Sequence, residues 1–405
     1  MIWAFIGQVL DPDQSCNKAL TRIQAHRANL GLPPVSTDTG GYCKARKRLP
    51  EELFSRLFRR LGAALNGKAR QEDLWCGRRV KVVDGSSSSM PDTLDNQKEY
   101  PQPCSQTMGC GFPVVAFVAV FCLATGAALD LVLGKWFLHD LNLFYFVRDT
   151  FVWGDIMLAD RAFCSYAEIA LMQMRGVDTV LHLHQRRKTD FRRGRVLGIQ
   201  DHIITWTKPV QCPKGLRKKD YRRLPEMLSV REVRYRVEVK GYRPQSITIA
   251  TTLLNADLYS VEALAELYFR RWEVELDFRH IKTTMQMDVL RGRTPAIVRK
   301  EIWTHLLAYN LIRSVMWEAA ISRGASPLRI SFKGTMQQIS SNSDLFSSNS
   351  PERVQPALES LLDLVAGKIV PYRPGRIEPR VRKRRPKNYR LMTRSRSQLK
   401  AALGA

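Results

Sequence analysis

Four side chains that could bind or cut a phosphodiester recur at helical spacing in the segment YFRRWEVELDFRHIK, residues 268–282. At about 100° per residue, Tyr268, Arg271, Glu275 and Lys282 fall within a sector of about 60° on an ideal α-helix. One helix face thus combines an aromatic hydroxyl, two cations and a carboxylate. A salt-bridged surface stripe is the other interpretation of this spacing. The remaining acids of the region lie on the opposite side, at Glu266, Glu273 and Asp277.

Two further carboxylates follow apolar runs typical of buried strands. Asp84 comes after VKVV, and Asp160 comes after DIMLA. Carboxylates at strand ends are frequent sites of chemistry in open α/β sheets. A turn or a helix cap is the alternative for either residue taken alone. We assign that alternative to four other aspartates without a comparable run before them, at positions Asp130, Asp140, Asp149 and Asp155.

Together, Asp84, Asp160 and Glu275 would form a set of hard oxygen ligands, which Mg²⁺ prefers. Two such ions, about 3.5 to 4 Å apart, could activate a water or a 3′-hydroxyl and stabilise the leaving oxygen. Metal binding would also relieve the repulsion among three neighbouring carboxylates. Arg271 and Lys282 would clamp the non-reacting phosphates. The pattern therefore predicts metal-dependent chemistry at phosphorus.

The charge of the chain predicts a polyanionic partner. Its 405 residues contain 64 Lys and Arg against 38 Asp and Glu, a formal net charge of +26. Residues 185–245 hold 18 basic and 6 acidic residues, and residues 371–405 hold 12 and 1. One such block could be a solvated face or tail, but two blocks beside a nearly neutral core favour nucleic acid, with an anionic membrane as the second candidate.

Composition and cysteine spacing exclude several classes of protein. Apolar residues make up 44% and charged residues 25%, which is ordinary for a folded chain and argues against a disordered or fibrous one. No two of the eight cysteines have the spacing of a zinc knuckle or redox pair, so we expect reduced, mostly buried thiols. No targeting segment is recognisable, which predicts a cytoplasmic, nucleoid-associated protein.

The secondary-structure elements that must position these residues can be predicted from the periodicity of apolar residues and from the residues that interrupt helices and strands. The stretch VVAFVAVFCLATGAALDLVLG could span a membrane, but its Thr-Gly break and its aspartate favour a buried β-hairpin. The whole pattern predicts an α/β protein with a mixed sheet. We divide it into a helical N-terminal region, a first core segment, a β-rich basic insertion, a second core segment with a long helical region from residue 260 to about 324, and a C-terminal helix with a basic tail, at residues 1–75, 76–184, 185–250, 251–340 and 341–405.

These motifs resemble those of the DDE transposases of IS-four-type bacterial insertion sequences. The signature of that family separates a Tyr, an Arg, a Glu and a Lys by two, three and six residues, and all four are present here. The segments VVDGSSSSMPDTLDNQKEYPQP, GCGFP and LADRAFCSY are also similar to the family. The resemblance runs from about Trp3 into the basic tail.

The resemblance implies an RNase H-like catalytic core with a DNA-contacting insertion, Asp84, Asp160 and Glu275 as the metal-binding triad, and Tyr268, Arg271 and Lys282 as phosphate contacts. It also implies Mg²⁺ or Mn²⁺ as cofactor and a homodimer on paired ends of double-stranded DNA. Such enzymes cut the ends of their element and join the freed 3′-hydroxyl to target DNA.

Two alternative functions remain at this point. Family members usually begin with more residues, which predicts damaged end recognition and allows a DNA-binding decoy that inhibits transposition. The second alternative is a nuclease that has the same core but does not carry out transposition. We expect His182 and His184 to have ordinary packing roles, and Trp272 to pack beneath its helix.

Overall fold

The N-terminal region is helical, as its periodicity predicts. The structure is a computed structural model that describes residues 1–237, 245–342, 351–371 and 390–403. Phe54 and Phe58, one helical turn apart, are both fully buried and direct one face of the fourth helix into the core. The helices of this region are α1 (Ile2–Leu10), α2 (Cys16–Asn29), α3 (Gly40–Arg48) and α4 (Glu51–Gly67).

A nine-stranded mixed sheet forms the centre of the molecule, in the order β3-β2-β1-β4-β5-β9-β8-β7-β6. β4 lies between β1 and β5 and is parallel to both, whereas all other neighbours are antiparallel. This confirms the predicted α/β class and mixed sheet. The strands are β1 (Val80–Ser89), β2 (Val114–Cys122), β3 (Ala128–Lys135), β4 (Ile156–Ala159), β5 (Asp178–His182), β6 (Arg195–Gly198), β7 (Asp201–Thr207), β8 (Met227–Val237) and β9 (Gln245–Thr251).

Alternation along the strands produces two hydrophobic layers, one on each side of the sheet. Val82 and Phe117 belong to one buried cluster, while their neighbours Val83 and Val118 belong to the other. β2 and β3 form the predicted buried hairpin, which turns at Gly126 with a positive φ of 66°. Within the described ranges, no helix combines the length and the apolar character needed to cross a bilayer.

Helix α11 is the central helix of one layer and is buried on nearly every side. Its Asn310 side chain accepts from the Ala128 amide at 3.0 Å and donates to the carbonyl of the same residue at 2.8 Å, which joins the helix to β3. The helices after α4 are α5 (Leu94–Glu99), α6 (Asp140–Phe144), α7 (Tyr166–Gln173), α8 (Lys218–Arg223), α9 (Val261–Arg270), α10 (Glu273–Arg279), α11 (Pro295–Ser322), α12 (Phe332–Ser341), α13 (Pro351–Ala366) and α14 (Arg396–Ala402).

The long helical region predicted from residue 260 to about 324 is interrupted. α9 and α10 are separated by a turn at Arg271 and Trp272, and α10 continues into a π-helical turn at His280–Thr284. The chain then leaves helical geometry, with Gln286 at a positive φ of 60°, until Pro295 begins α11. Periodicity alone does not reveal such breaks, because the apolar spacing continues through them.

The predicted insertion extends the same sheet instead of forming a separate one. β9 pairs with β5, and β8, β7 and β6 follow outward. The segment is rich in β-structure and also contains a short helix, α8, between β7 and β8. Its charge is also not wholly on the surface, since Arg231 is fully buried and forms a bidentate pair with Asp201 at 2.7 and 2.8 Å.

The boundaries of the five predicted regions stay predictions. Two segments lie outside the described residues. They are most of the serine-rich stretch before α13, residues 343–350, and the most basic part of the tail, residues 372–389. Beyond them, residues 396–402 form the short helix α14, which the sequence did not predict.

Candidate active site

Asp84 and Asp160 lie side by side on neighbouring parallel strands. The pairing of β1 with β4 ends at Val83 and Ala159, and each aspartate is the next residue. Adjacent strands are about 4.8 Å apart, so the two carboxylates leave the sheet from neighbouring positions. Asp84 is not at a strand end as predicted, because β1 continues to Ser89 along β2.

Backbone amides orient both aspartates. Asp160 caps a short 3₁₀ turn by accepting from the amide of Ala162 at 2.8 Å, so the predicted cap role is also present. Asp84 accepts from the amide of Gly85 at 2.8 Å. Burial raises the pKa of Asp84 to about 6, and the nearby carboxylates of Asp160 and Glu275 add to the increase. Asp84 is therefore a carboxylate for which a nearby cation would be favourable.

Arg271 lies between Asp84 and Glu275. Its guanidinium nitrogens are 3.8 Å from Asp84 Oδ2 and 3.2 Å from Glu275 Oε1. The Arg271 side chain is 11% exposed, whereas that of Glu275 is 45% exposed. Arg271 thus supplies a positive charge to two of the three predicted acids.

Tyr268 is buried beside Arg271, with the guanidinium carbon 5.9 Å from the centre of its ring. Burial raises the pKa of Tyr268 to about 12, so its hydroxyl remains a donor at neutral pH. The ring of His182 packs edge-on against it at 5.8 Å, and a nitrogen of Arg161 lies 3.4 Å from the His182 ring. These side chains and Asp160 line a cleft of about 520 Å³.

Burial, with the charges of Arg161 and Arg271, lowers the pKa of His182 to about 4, so the ring is neutral at physiological pH. The cleft position of His182 was not predicted from the sequence. His184 instead accepts locally from the amide of Arg186 at 3.2 Å.

Trp272 is 46% exposed, so the prediction that it packs beneath the helix is wrong. The prediction assumed a continuous helix, but the turn between α9 and α10 directs Trp272 outward. Its ring lies in the same cleft, with the guanidinium carbon of Arg271 5.2 Å from its centre.

Lys282 reaches β1 from the π-helical turn. Its ammonium donates to Ser86 Oγ at 3.1 Å, and Ser86 is two residues after Asp84 on the same face of the strand. Burial lowers the pKa of Lys282. Ser86 was not identified from the sequence. Alternation along β1 places it on the Asp84 face, but only the backbone path after α10 brings Lys282 to it.

The donor set fits a hard divalent cation, although the carboxylates are not gathered into a ligand cluster. Among the described residues, no group of three or more His, Cys, Asp or Glu side chains is close enough to hold a metal ion. Asp84 and Asp160 are neighbours, while Glu275 is engaged by Arg271. Glu275 would have to release Arg271 to complete an oxygen ligand set.

Three of the four aspartates that we assigned to structural roles form ion pairs with basic side chains. Asp155 forms a buried ion pair with Lys81, Asp130 pairs with Arg59, and Asp149 pairs with Arg175. Asp140 begins α6, where its carboxylate lies close to the backbone of Gly85, and burial raises its pKa.

The cysteines are free, but most of them are not buried. Only Cys122 and Cys164 among the eight, all within the described ranges, are fully buried, while Cys76 and Cys104 are exposed. The prediction of mostly buried thiols is therefore wrong. Cysteine spacing excluded particular metal and redox motifs but carried no information on burial.

Comparison with known proteins identifies the family. Residues 75–311 match the family described as "Transposase DDE domain". The chain is 25% identical over 392 residues to "Transposase InsG for insertion sequence element IS4" of Escherichia coli (strain K12), covering 96% of this chain and 86% of that protein.

Two shorter similarities agree with that match. "Putative transposase InsL for insertion sequence element IS186A" of the same strain is 37% identical over 65 residues, which is 16% of this chain and 18% of that protein. "Probable transposase for insertion sequence element IS5377" of Geobacillus stearothermophilus is 32% identical over 81 residues, 20% and 21% of the two chains. The family match includes both strand aspartates and the whole Tyr-Arg-Glu-Lys signature. The chain therefore belongs to the DDE transposases of the IS-four type, as its motifs indicated.

Proposed function

We propose that this transposase cuts DNA at the ends of its insertion sequence and joins the freed 3′-hydroxyl to target DNA, with Mg²⁺ as cofactor and Mn²⁺ as a substitute. The observation that carries the proposal is the arrangement around Arg271. Asp84 and Asp160 leave adjacent strands at matching positions, and Arg271 contacts both Asp84 and Glu275. No observation favours the decoy alternative.

Asp84, Asp160 and Glu275 would hold the metal, which supplies Lewis-acid activation of the attacking oxygen and stabilisation of the leaving one. Arg271 has a second role in this proposal. A DNA phosphate can replace Glu275 as the ion-pair partner of the Arg271 guanidinium, because a phosphate is a strong bidentate acceptor. Glu275 is then released from its ion pair and can turn toward the two aspartates. DNA binding would thus help to assemble the ligand set.

The remaining signature residues would fix the DNA backbone. Tyr268 stays protonated and offers a hydroxyl donor, and Lys282 offers a cation on the other side of Asp84. The two basic blocks would bind flanking DNA through its phosphates. We further propose a homodimer on paired ends and association with the nucleoid, in keeping with the family.

The test compares Glu275→Ala with Glu273→Ala on DNA that carries the inverted repeats flanking the gene. Glu273 is a matched control, because it is two residues away and pairs with Arg270 at 2.9 Å. We expect Glu275→Ala to abolish cleavage in Mg²⁺ with nearly unchanged DNA binding, and Glu273→Ala to cleave normally.

Chelation with EDTA should stop wild-type cleavage, and Mn²⁺ should restore it. Full cleavage by Glu275→Ala together with a loss in Glu273→Ala would reject the assignment. Cleavage without joining of the 3′-hydroxyl to target DNA would indicate a nuclease rather than a strand-transfer enzyme.

A further inference from the structure

The strand that carries Asp84 continues beyond it as a run of serines. Alternation places Ser86 and Ser88 on the same face as Asp84, and Ser87 on the opposite face. Ser88 is buried and Ser87 is exposed. Ser86 is half-buried, which makes it the nearest serine on the Asp84 face that a ligand could reach.

The position of Lys282 above Ser86 is fixed by a second attachment between the same two segments. The amide and the hydroxyl of Ser89 both donate to the carbonyl of Asp288, at 3.0 and 3.1 Å. The amide of Leu290 donates back to Ser89 at 2.8 Å. The end of β1 therefore holds the chain that follows the π-helical turn, so the contact between Lys282 and Ser86 is part of a braced structure.

Both groups have hydrogen-bonding capacity left. An ammonium has three donors, and Ser86 uses one of those of Lys282. Within the parts of the chain that the structure describes, no carboxylate forms an ion pair with Lys282, and no acceptor receives the Ser86 hydroxyl proton. Because Ser86 Oγ accepts from Lys282, its own proton is free to be donated elsewhere. The pair thus presents a cation and a hydroxyl donor at one point, which suits a non-bridging phosphate oxygen.

We propose that Ser86 is a DNA-binding residue of this transposase, which binds one backbone phosphate jointly with Lys282. The contact lies two residues from Asp84 and sets the position of the DNA strand relative to the carboxylates. This inference rests on the proposed function and adds to it a residue outside the family signature.

The first experiment measures single-turnover cleavage at saturating DNA for Ser86→Ala, Ser86→Thr and Ser87→Ala. Loss of a hydrogen bond to a charged group should slow Ser86→Ala about 10- to 100-fold. Ser86→Thr keeps the hydroxyl and suits a strand, so it should retain most of the rate. Ser87→Ala should match the wild type. Affinity should change little, because many other phosphate contacts hold the DNA. Equal melting temperatures for the three variants show that the fold is intact.

The second experiment replaces single phosphates near the cleavage site with neutral methylphosphonates. When the phosphate bound by Ser86 is replaced, the wild-type protein should cleave the modified DNA more slowly than unmodified DNA. The Ser86→Ala variant should cleave the two DNAs at nearly the same rate. The proposal is wrong if Ser86→Ala cleaves as fast as Ser87→Ala, or if wild type and Ser86→Ala respond alike at every position. A wild-type protein that cleaves no end-containing DNA would overturn the proposed function itself, and the role of Ser86 with it.

Discussion

At the scale of single residues, Arg271 is the centre of the site. Its guanidinium neutralises part of the charge of Asp84 and Glu275. The cost of burying the Asp84 carboxylate is not fully offset, since the pKa of Asp84 is still raised. The site therefore keeps a negative charge that is unfavourable until a cation binds beside it. Functional sites commonly reduce stability in this way.

Asp84→Asn should stabilise the metal-free protein at neutral pH. The pKa of Asp84 is raised from 3.8 to about 6, so its contribution to folding is fully present below about pH 3.8 and is lost as the pH rises through about 6. Removing the charge should increase the free energy of unfolding by up to about 3 kcal/mol at pH 7.5. Urea denaturation at pH 7.5 and pH 4 measures the difference, which should nearly vanish at the lower pH. An Asp84→Asn protein that is less stable than wild type at pH 7.5 would contradict this account.

The six candidate residues could be selected from the sequence because their chemistry depends on residue type and spacing. Trp272 and Ser86 could not be interpreted in the same way. The exposure of Trp272 depends on a helix break, and the importance of Ser86 depends on where Lys282 ends. Both are properties of the backbone path, which residue types do not encode locally.

At the scale of elements, a buried polar network fixes α10 against α11. The Tyr309 hydroxyl donates to Asp277 Oδ1 at 2.9 Å, and Arg313 donates to the Tyr309 oxygen at 2.9 Å and pairs with Asp277 directly. Asp277 faces this network while Glu275 faces the site. The two acids, two residues apart, thus lie on different sides of the same helix, and Asp277 anchors it.

Asp277→Ala should destabilise the protein and also impair cleavage. It leaves the Arg313 charge buried without its partner, which typically costs about 3 to 5 kcal/mol. Chemical denaturation measures the loss of stability, and cleavage at a temperature where the variant is folded measures the displacement of α10. The double variant Asp277→Leu with Arg313→Met should regain much of the stability. Unchanged stability in Asp277→Ala would show that the network does not anchor α10.

Most elements could be predicted from the sequence, because apolar alternation and capping residues mark them clearly. Ser165, for example, caps α7 by accepting from the amide of Glu168 at 3.2 Å. The π-helical turn could not be predicted. It inserts an extra residue into a turn without changing the apolar pattern, so the ideal 100° rotation fails beyond His280.

At the scale of the whole molecule, charge is concentrated in the predicted insertion and the tail. Residues 371–405 carry 12 basic residues and one acid. Within the described part of this segment, the short helix α14 is exposed.

Removal of residues 371–405 should weaken binding to all DNA sequences. Each phosphate contact that is lost should reduce the slope of log K against log salt by about 0.9. Fluorescence anisotropy between low and physiological salt measures this slope, with unrelated DNA of equal length as the comparison. An unchanged slope would show that the tail is a solvated segment that does not contact DNA phosphates. The predicted insertion would then be the main basic segment that contacts DNA.

The predicted insertion follows β5 and ends on β9, the direct antiparallel neighbour of β5 in the same sheet. Its two ends are therefore a single strand spacing apart, about 4.8 Å. The loops that join its outer strands can be lengthened or shortened without moving the strands that carry Asp84 and Asp160. Evolution could thus change the connections of the outer strands while the carboxylates of the active site keep their positions.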